Sequence, residues 1–458
     1  MHTGPLACFK AYDVRGELGV NFDTAIAYRI GRAVGQHFIS GAVVIGRDAR
    51  ETSPELAEAV ARGVCDVGLT VLDLGMAGTE EMYWAVTEFG ASAGIEVTAS
   101  HNPMNYNGLK IVKSGSRPLD DVGDFQVIKR LAEVADWTEG PGVLNLKDIS
   151  VDARAKYVER VLSFVNMDAL RPLRVVVNSG NGAAGPSFDA IAAELGRRGV
   201  PIEFIRVYHE PDHSFPNGIP NPLLLENHAA TADVVVREGA DLGIAFDGDF
   251  DRCFFFDEHG QFVPGEYVVG LLASIFLDRE KGAKIVHDPR VVWNTQDIVA
   301  KKGGIAVQSK TGHSFIKETM RTAGAVYGGE MSAHHYFRDF AYCDSGMVPW
   351  LLIVELISKN GRSLGDLTYD RFKKFPSSGE INFTVADPSA SMARVGAAYK
   401  GRAMSIDEMD GVSFDCGNWR FNLRKSNTEP LVRLNLEARG NVGGLEHRIA
   451  ELSALIVG

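Results

Sequence analysis

Short runs of β-branched residues alternate along this chain with amphipathic stretches, and the alternation comes round three times. Val43-Val44-Ile45 predicts a strand that turns at Arg47-Asp48, enters a helix from about Pro54 and reaches a second strand over Thr70 to Leu74. Arg174 to Val177 starts the plan again, passing through Ser179-Gly180-Asn181-Gly182 into a helix ending near Arg198 and the strand Ile202 to Tyr208. Lys284 to Val286, Asp288-Pro289-Arg290, a helix near Thr295 to Lys302 and the strand Ile305 to Gln308 make the third round. After each pair of strands a third segment ends in a polar loop: Thr98 to Pro103, Asp247 to Arg252, and Gly329 to Phe337. Strands alternating with helices build α/β units, whose ligand loops lie beyond the carboxyl ends of the strands. Three equivalent loops are therefore expected to converge on one cleft.

The end of the chain breaks this plan. Trp419 to Leu423, a loop over Arg424 to Pro430, Leu431 to Leu436 and an amphipathic helix over Gly444 to Ile456 predict a smaller α+β domain. The expected architecture is α/β: three similar α/β domains plus a C-terminal α+β domain around a central cleft. Its expected boundaries are 1–150, 151–256, 257–367 and 368–458. The Pro/Gly-rich segment 209–222 lies between strands and reads as a fixed surface loop.

Composition narrows the class. A chain of 458 residues needs several cores, and 45% hydrophobic with 23% charged residues describes a globular protein. A formal net charge of −12 argues against a general nucleic-acid binder but leaves room for a local basic pocket. Five scattered cysteines with no C-x-x-C pair read as the reduced thiols of a cytosolic protein. The start of the chain lacks a signal-peptide pattern, and the apolar run Val268 to Leu277 is too short for a bilayer. The expectation is a cytoplasmic protein with no membrane role and no obligate protein partner.

Four loops carry the candidate chemistry. In Asp247-Gly248-Asp249-Phe250-Asp251-Arg252, three carboxylates two residues apart would repel one another unless they held a cation, and oxygen ligands select Mg²⁺ or Mn²⁺. An EF-hand would want glycine where Arg252 stands. An aspartyl-phosphatase reading, with Asp247 as nucleophile, stays open at this point. In Thr98-Ala99-Ser100-His101-Asn102-Pro103, Ser100 beside His101 could carry a phosphoryl group if the metal loop lies close. A serine hydrolase would prefer a Gly-x-Ser-x-Gly elbow, which is absent. In Gly329-Glu330-Met331-Ser332-Ala333-His334-His335, Glu330 and Ser332 point the same way on an extended chain and suit vicinal sugar hydroxyls. Adjacent His334 and His335 face opposite sides, so at most one serves a site. In Arg424-Lys425-Ser426-Asn427-Thr428-Glu429-Pro430, Arg424 and the hydroxyl and amide side chains form a candidate phosphate cradle.

These four loops in this order resemble those of the α-D-phosphohexomutase family, in its phosphomannomutase/phosphoglucomutase branch, over essentially the whole chain. The resemblance implies a phosphoryl transfer between O1 and O6 of a hexose through phosphorylated Ser100, with a hexose 1,6-bisphosphate as intermediate and activator. It implies Mg²⁺ held by Asp247, Asp249 and Asp251 against Ser100, with Arg252 beside them. Glu330 and Ser332 would bind the sugar's O3 and O4, and Arg424, Ser426, Asn427 and Thr428 the phosphate not being transferred. The segment Phe9 to Gly16 is similar to the family's N-terminal motif and brings Tyr12 and Arg15 toward the serine. Lys110, from Asn107-Gly108-Leu109-Lys110, and His313, from Lys310-Thr311-Gly312-His313, join the set. Arg290 stands where relatives often carry lysine. Proton transfer at the sugar hydroxyl falls to Lys110 or His334. Met331, where phosphoglucosamine mutases usually have glutamine, favours hexose phosphates as small-molecule substrates. The stretch from Gly329 to Trp350 favours mannose over glucose.

Overall fold

The computed structural model describes residues 4–10, 13–137, 144–425, 431–440 and 444–458. The chain divides into two compact units: Met1–Phe262 with Asp339–Asn360, and Val263–Arg338 with Gly361–Gly458.

The three rounds of sequence become three sheets with one strand order. In the first unit, Tyr106–Lys113, Ala93–Val97, Ala42–Arg47 and Thr70–Met76 lie side by side, with Val14–Glu17 and Leu146–Asp148 at the edges. Ala42–Arg47 pairs in parallel with both neighbours, and Tyr106–Lys113 returns antiparallel to Ala93–Val97. The same unit repeats the order as Cys253–Phe256, Leu242–Phe246, Leu173–Asn178 and Ile202–Val207. The second unit has it as His335–Phe337, Tyr327–Gly329, Lys284–His287 and Ile305–Gln308. The central strands are buried on both faces, which is why Val43-Val44-Ile45 and Val175-Val176-Val177 read as unbroken apolar runs.

Each polar loop is thus the tip of the same hairpin, at the carboxyl end of the third strand of its repeated round. The third tip is shorter than its sequence suggests. Tyr327–Gly329 pairs with His335–Phe337, leaving only residues 330–334 as loop. Gly328 and Gly329 carry no side chain to announce a strand, so periodicity misses it. Each tip also holds one non-glycine residue in the left-handed region: Ser100 at φ 48°, Phe250 at φ 43° and Ala333 at φ 69°. Such backbone costs roughly 1–3 kcal/mol and persists only where surrounding contacts impose it.

Helix Met347–Asn360 packs within the first unit although its sequence follows the third sheet. Its start is held by Glu80, whose buried carboxylate accepts from Ser345 Oγ at 2.8 Å, Met347 N at 3.1 Å, Gly346 N and the Tyr157 hydroxyl. A carboxylate there satisfies amides that a helix start leaves without partners.

In the second unit the C-terminal strands Ser377–Thr384, Leu431–Ala438, Trp419–Lys425, Val412–Asp415 and Ser405–Asp407 form an antiparallel sheet. Its apolar core joins Phe421, Leu434 and Leu436 to Val395 and Tyr399 of helix Pro388–Tyr399 and to Leu452 and Ile456 of helix Leu445–Val457. Among the described residues no helix is long and apolar enough to cross a membrane, and the five cysteines form no disulfide.

Glu266, near the start of helix Gly265–Arg279, is buried, and its Oε1 has no hydrogen-bond partner among the described residues. Burial, with Asp288 and Glu437 nearby, pushes its carboxyl up to about 7. The folded form therefore keeps a proton that the unfolded chain releases near its ordinary value of 4.5. That contribution to stability is full at low pH and disappears as pH rises toward 7. Against Glu266→Gln, the wild type should lose on the order of 3 kcal/mol between about pH 5 and pH 8 in urea denaturation.

Candidate active site

The tips of the first two sheets meet inside the first unit. Gly248 makes the approach possible: a Cβ there would stand 2.6 Å from the Ser100 carbonyl oxygen. Ser100 is 7% exposed, and its Oγ donates to Asp247 Oδ2 at 2.9 Å. Its backbone N donates to Thr98 Oγ1 at 2.8 Å, which helps hold the left-handed turn. Arg252 donates to the same Asp247 oxygen from Nε at 3.0 Å and Nη2 at 2.7 Å. His101 Nδ1 lies 3.0 Å from Ser100 Oγ and 2.6 Å from Arg252 Nη2. The Arg252 charge, then burial, hold the imidazole well below its usual range, so it is neutral and accepts from the guanidinium.

Lys110 reaches the site from strand Tyr106–Lys113. Its Nζ donates to Asp249 Oδ2 at 2.7 Å and Asp251 Oδ2 at 2.5 Å. Burial alone would strip its proton, but the two carboxylates outweigh burial and raise it above the usual lysine range. Burial likewise raises Asp249, yet the Lys110 charge and hydrogen bonds from Lys110 and Thr79 bring it below the usual carboxylate range. Asp247 goes the other way. Burial pushes it up to about 6, against the pull of Arg252, with Asp251 and Asp249 adding to the rise.

Arg15 donates from Nη1 to the Thr98 carbonyl at 2.9 Å, so it holds the strand end that leads into the serine loop. Arg50 grips that loop more fully, donating to the carbonyls of Ser100 at 3.0 Å, Asn102 at 2.5 Å, Pro103 at 3.0 Å and Tyr106 at 3.1 Å. The sequence marks the turn at Arg47-Asp48 but gives no sign of this role for Arg50. Asp48 and Ser53 orient it: Arg50 N and Ser53 Oγ both donate to Asp48 Oδ1, at 3.0 and 2.5 Å.

The second unit gathers a separate set. Glu330 Oε1 accepts from Gly312 N at 2.9 Å and Oε2 from the Tyr336 hydroxyl at 2.5 Å. Arg290 Nη2 donates to Asp288 Oδ2 at 2.8 Å and Ser332 Oγ at 3.3 Å, and stands 3.7 Å from Glu330 Oε1. Glu380 ties this group to Arg424, which donates to its Oε2 at 2.8 Å, while Arg290 Nη1 approaches the same oxygen at 3.7 Å. Burial raises Glu380, but Arg290, Arg424 and Arg433 outweigh it and keep the carboxylate ionised. The backbone of Arg290 is anchored from the C-terminal sheet. Arg420 donates to the Pro289 and Arg290 carbonyls at 3.0 and 3.1 Å, and Glu437 accepts from Val292 N and Trp293 N at 2.8 and 2.9 Å.

His313 begins helix His313–Ala323. Of the two neighbouring histidines, His335 is buried, accepts from or donates to the Tyr327 hydroxyl at 2.8 Å, and is pushed by burial down to about 3. His334 is half-buried. Tyr12, Ser426, Asn427 and Thr428 lie outside the described residues.

Four family models cover most of the chain: phosphoglucomutase/phosphomannomutase α/β/α domains I, II and III match residues 7–136, 155–260 and 264–375, and the C-terminal domain matches 380–452. The chain belongs to the phosphoglucomutase/phosphomannomutase family. It is 54% identical to a phosphomannomutase of Salmonella montevideo over 98% of this chain and 99% of that one. A protein of Xanthomonas campestris pv. campestris named among the phosphohexose mutases is 53% identical over 99% and 100%. A family protein of Burkholderia thailandensis has the same fold, with a TM-score of 0.86 at 31% identity over 98% of this chain and 97% of that one.

The first unit's acidic group fits a hard divalent cation. Asp247, Asp249 and Asp251 are buried, and each offers an atom within 4.8 Å of the others. Asp247 Oδ1 and Asp249 Oδ1 accept no hydrogen bond from the described residues, an arrangement that is costly for a buried carboxylate without a further positive partner. Oxygen donors of this kind suit a small, hard ion.

Proposed function

We propose that this family member interconverts mannose 1-phosphate and mannose 6-phosphate, and the glucose phosphates as well, through phosphorylated Ser100 and a hexose 1,6-bisphosphate. The observation that carries the reading is the Ser100 hydroxyl, held in a left-handed turn and donating to Asp247 beside two further buried aspartates. Asp247 Oδ2 is already occupied by Ser100 and Arg252, which favours the serine over the aspartate as phosphoryl carrier. Relatives from Salmonella and Escherichia coli at 52–54% identity are named phosphomannomutases, which supports mannose as the preferred sugar.

In this reading phosphoserine 100 gives its phosphoryl group to the free O6 of a hexose 1-phosphate. The O6–H and Oγ–P bonds break, an O6–P bond forms, and the proton from O6 ends on Ser100 Oγ. After the bisphosphate turns round, the O1–P bond breaks, an Oγ–P bond forms on Ser100, the hydroxyl proton ends on O1, and the hexose 6-phosphate departs. Mg²⁺, held by Asp247, Asp249 and Asp251, would neutralise the phosphoryl oxygens when bound. Arg252 and Lys110 add positive charge at the same place, and Arg15 and Arg50 fix the loop that presents Oγ. Glu330 and Ser332 take the sugar's O3 and O4, which nearly exchange places when the ligand turns. Arg290, His313 and Arg424, with Tyr12, Ser426, Asn427 and Thr428, complete binding of the sugar and its second phosphate. The chain is read as four domains, at 1–150, 151–256, 257–367 and 368–458, working in the cytoplasm without nucleic acid, membrane or obligate protein partner.

The test supplies Mg²⁺ and trace glucose 1,6-bisphosphate and follows 6-phosphate products and free phosphate from mannose 1-phosphate and glucose 1-phosphate. The expected result is turnover of both sugars, faster with mannose, with little phosphate released, and loss of turnover in EDTA. Accumulating phosphate without isomerisation would overturn the mutase reading.

A further inference from the structure

The three aspartates divide their oxygens in one way. Asp247 Oδ2 takes the hydrogen bonds from Ser100 and Arg252, Asp249 Oδ2 takes those from Thr79 and Lys110, and Asp251 Oδ2 takes that from Lys110. Among the described residues, the Oδ1 atoms of Asp247 and Asp249 have no donors. A carboxylate can present a chosen oxygen only if something fixes its rotation. For Asp247 that is Arg252; for Asp249 it is Lys110 and Thr79.

Lys110 and Thr79 are different kinds of support. The ammonium sits at the end of a flexible stem and is shared between two carboxylates, so any change of charge in the site can redirect it. The Thr79 hydroxyl is neutral, fully buried, and starts helix Thr79–Glu88. It donates to Asp249 Oδ2 at 2.5 Å while its own backbone N donates to the Asp249 carbonyl at 3.1 Å. One residue therefore grips both the side chain and the main chain of Asp249. The β-branched side chain has few χ1 choices, so the hydroxyl is aimed by the helix start rather than by the ligand. The preceding residue adds to the clamp. Gly78 lies so close to Phe250 that a Cβ would stand 2.2 Å from its ring, so the helix start is seated against the residue after Asp249.

We propose that Thr79 is a positioning residue for the metal site, turning Asp249 so that Oδ1 faces the cation whatever Lys110 is doing. The inference rests on the reading of Asp247, Asp249 and Asp251 as cation ligands. Groups that orient a metal ligand typically contribute ~10–100-fold in metal affinity.

The experiment measures Mn²⁺ binding directly, by electron paramagnetic resonance of the free ion, for wild type, Thr79→Val, Thr79→Ala and Thr79→Ser. Thr79→Val keeps the shape and removes the donor; Thr79→Ser keeps the donor and removes the methyl. The expected result is a Mn²⁺ Kd raised ~10–100-fold in Thr79→Val and Thr79→Ala, and restored to within a few-fold in Thr79→Ser. Thermal unfolding of each variant separates this from loss of fold, because a merely structural role lowers Tm without moving Kd. Wild-type Kd in folded Thr79→Val or Thr79→Ala would overturn the proposal. Should Thr79→Val and Thr79→Ala both fail to fold, Thr79→Ser decides: a Kd raised as far as ~10-fold despite the retained hydroxyl would overturn it. Absence of Mn²⁺ binding in the wild type would instead remove the cation reading on which it rests.

Discussion

Ser100→Ala should abolish hexose phosphate isomerisation, with kcat/KM falling by about ten-thousandfold or more, as expected when a covalent carrier is removed. No neighbour can replace it. His101 Nδ1 is already turned toward Arg252, and Asp247 Oδ2 is held by the same guanidinium. The variant should remain folded, because the left-handed turn is held by Thr98 Oγ1, which the Ser100 backbone N reaches, and by Arg50 on the carbonyls. Steady-state assay of both 1-phosphates, with circular dichroism as control, measures this. Retention of even a few per cent of activity would mean that the phosphoryl group has another carrier.

Asp249→Asn should cost about a thousandfold in kcat/KM, since stabilisation of phosphoryl charge by a bound cation amounts to several kcal/mol. The Asp249 side chain is hydrogen-bonded by Thr79 and Lys110 and not by Ser100, so this loss separates the acidic group from the serine itself. The amide keeps the size of the side chain and one acceptor for Thr79, but it removes a negative charge from the cation's surroundings and half of the compensation for the buried Lys110 ammonium. Activity should therefore rise only partly when Mg²⁺ is increased. Full rescue by high Mg²⁺ would reduce Asp249 to a minor ligand, and unchanged activity at low Mg²⁺ would remove it from the ligand set.

Much of this arrangement is legible in the sequence because it repeats. The strand starts at Val43, Val175 and Ile285 are apolar runs buried on both faces, and a polar loop follows the third strand of each round at the same place. The spacing of Asp247, Asp249 and Asp251 alone implies a common target, because carboxylates at alternate positions of a tight hairpin tip have little room to part. Their oxygens do lie within 4.8 Å of one another.

What stays hidden depends on contacts between distant parts of the chain. Thr79 and Asp249 are 170 residues apart, and Arg50 meets Ser100 across 50. Helix Thr79–Glu88 is buried all round from Thr79 to Val86, so no polar face marks it and nothing in the sequence singles out Thr79 or Glu80. Glu380 sits in a strand of mixed burial with nothing nearby in sequence to suggest that it joins Arg290, Arg424 and Arg433. In each case the residue type is visible and its partner is not.

In the proposed reaction Ser100 hands its phosphoryl group to a sugar. The most direct measurement loads the protein with ³²P from labelled glucose 1,6-bisphosphate, removes excess label, and mixes it with unlabelled mannose 1-phosphate for one turnover. Label should leave Ser100 and appear in mannose bisphosphate and mannose 6-phosphate, with none gained by Ser100→Ala. Label that remains on the protein, or that emerges as inorganic phosphate, would contradict it.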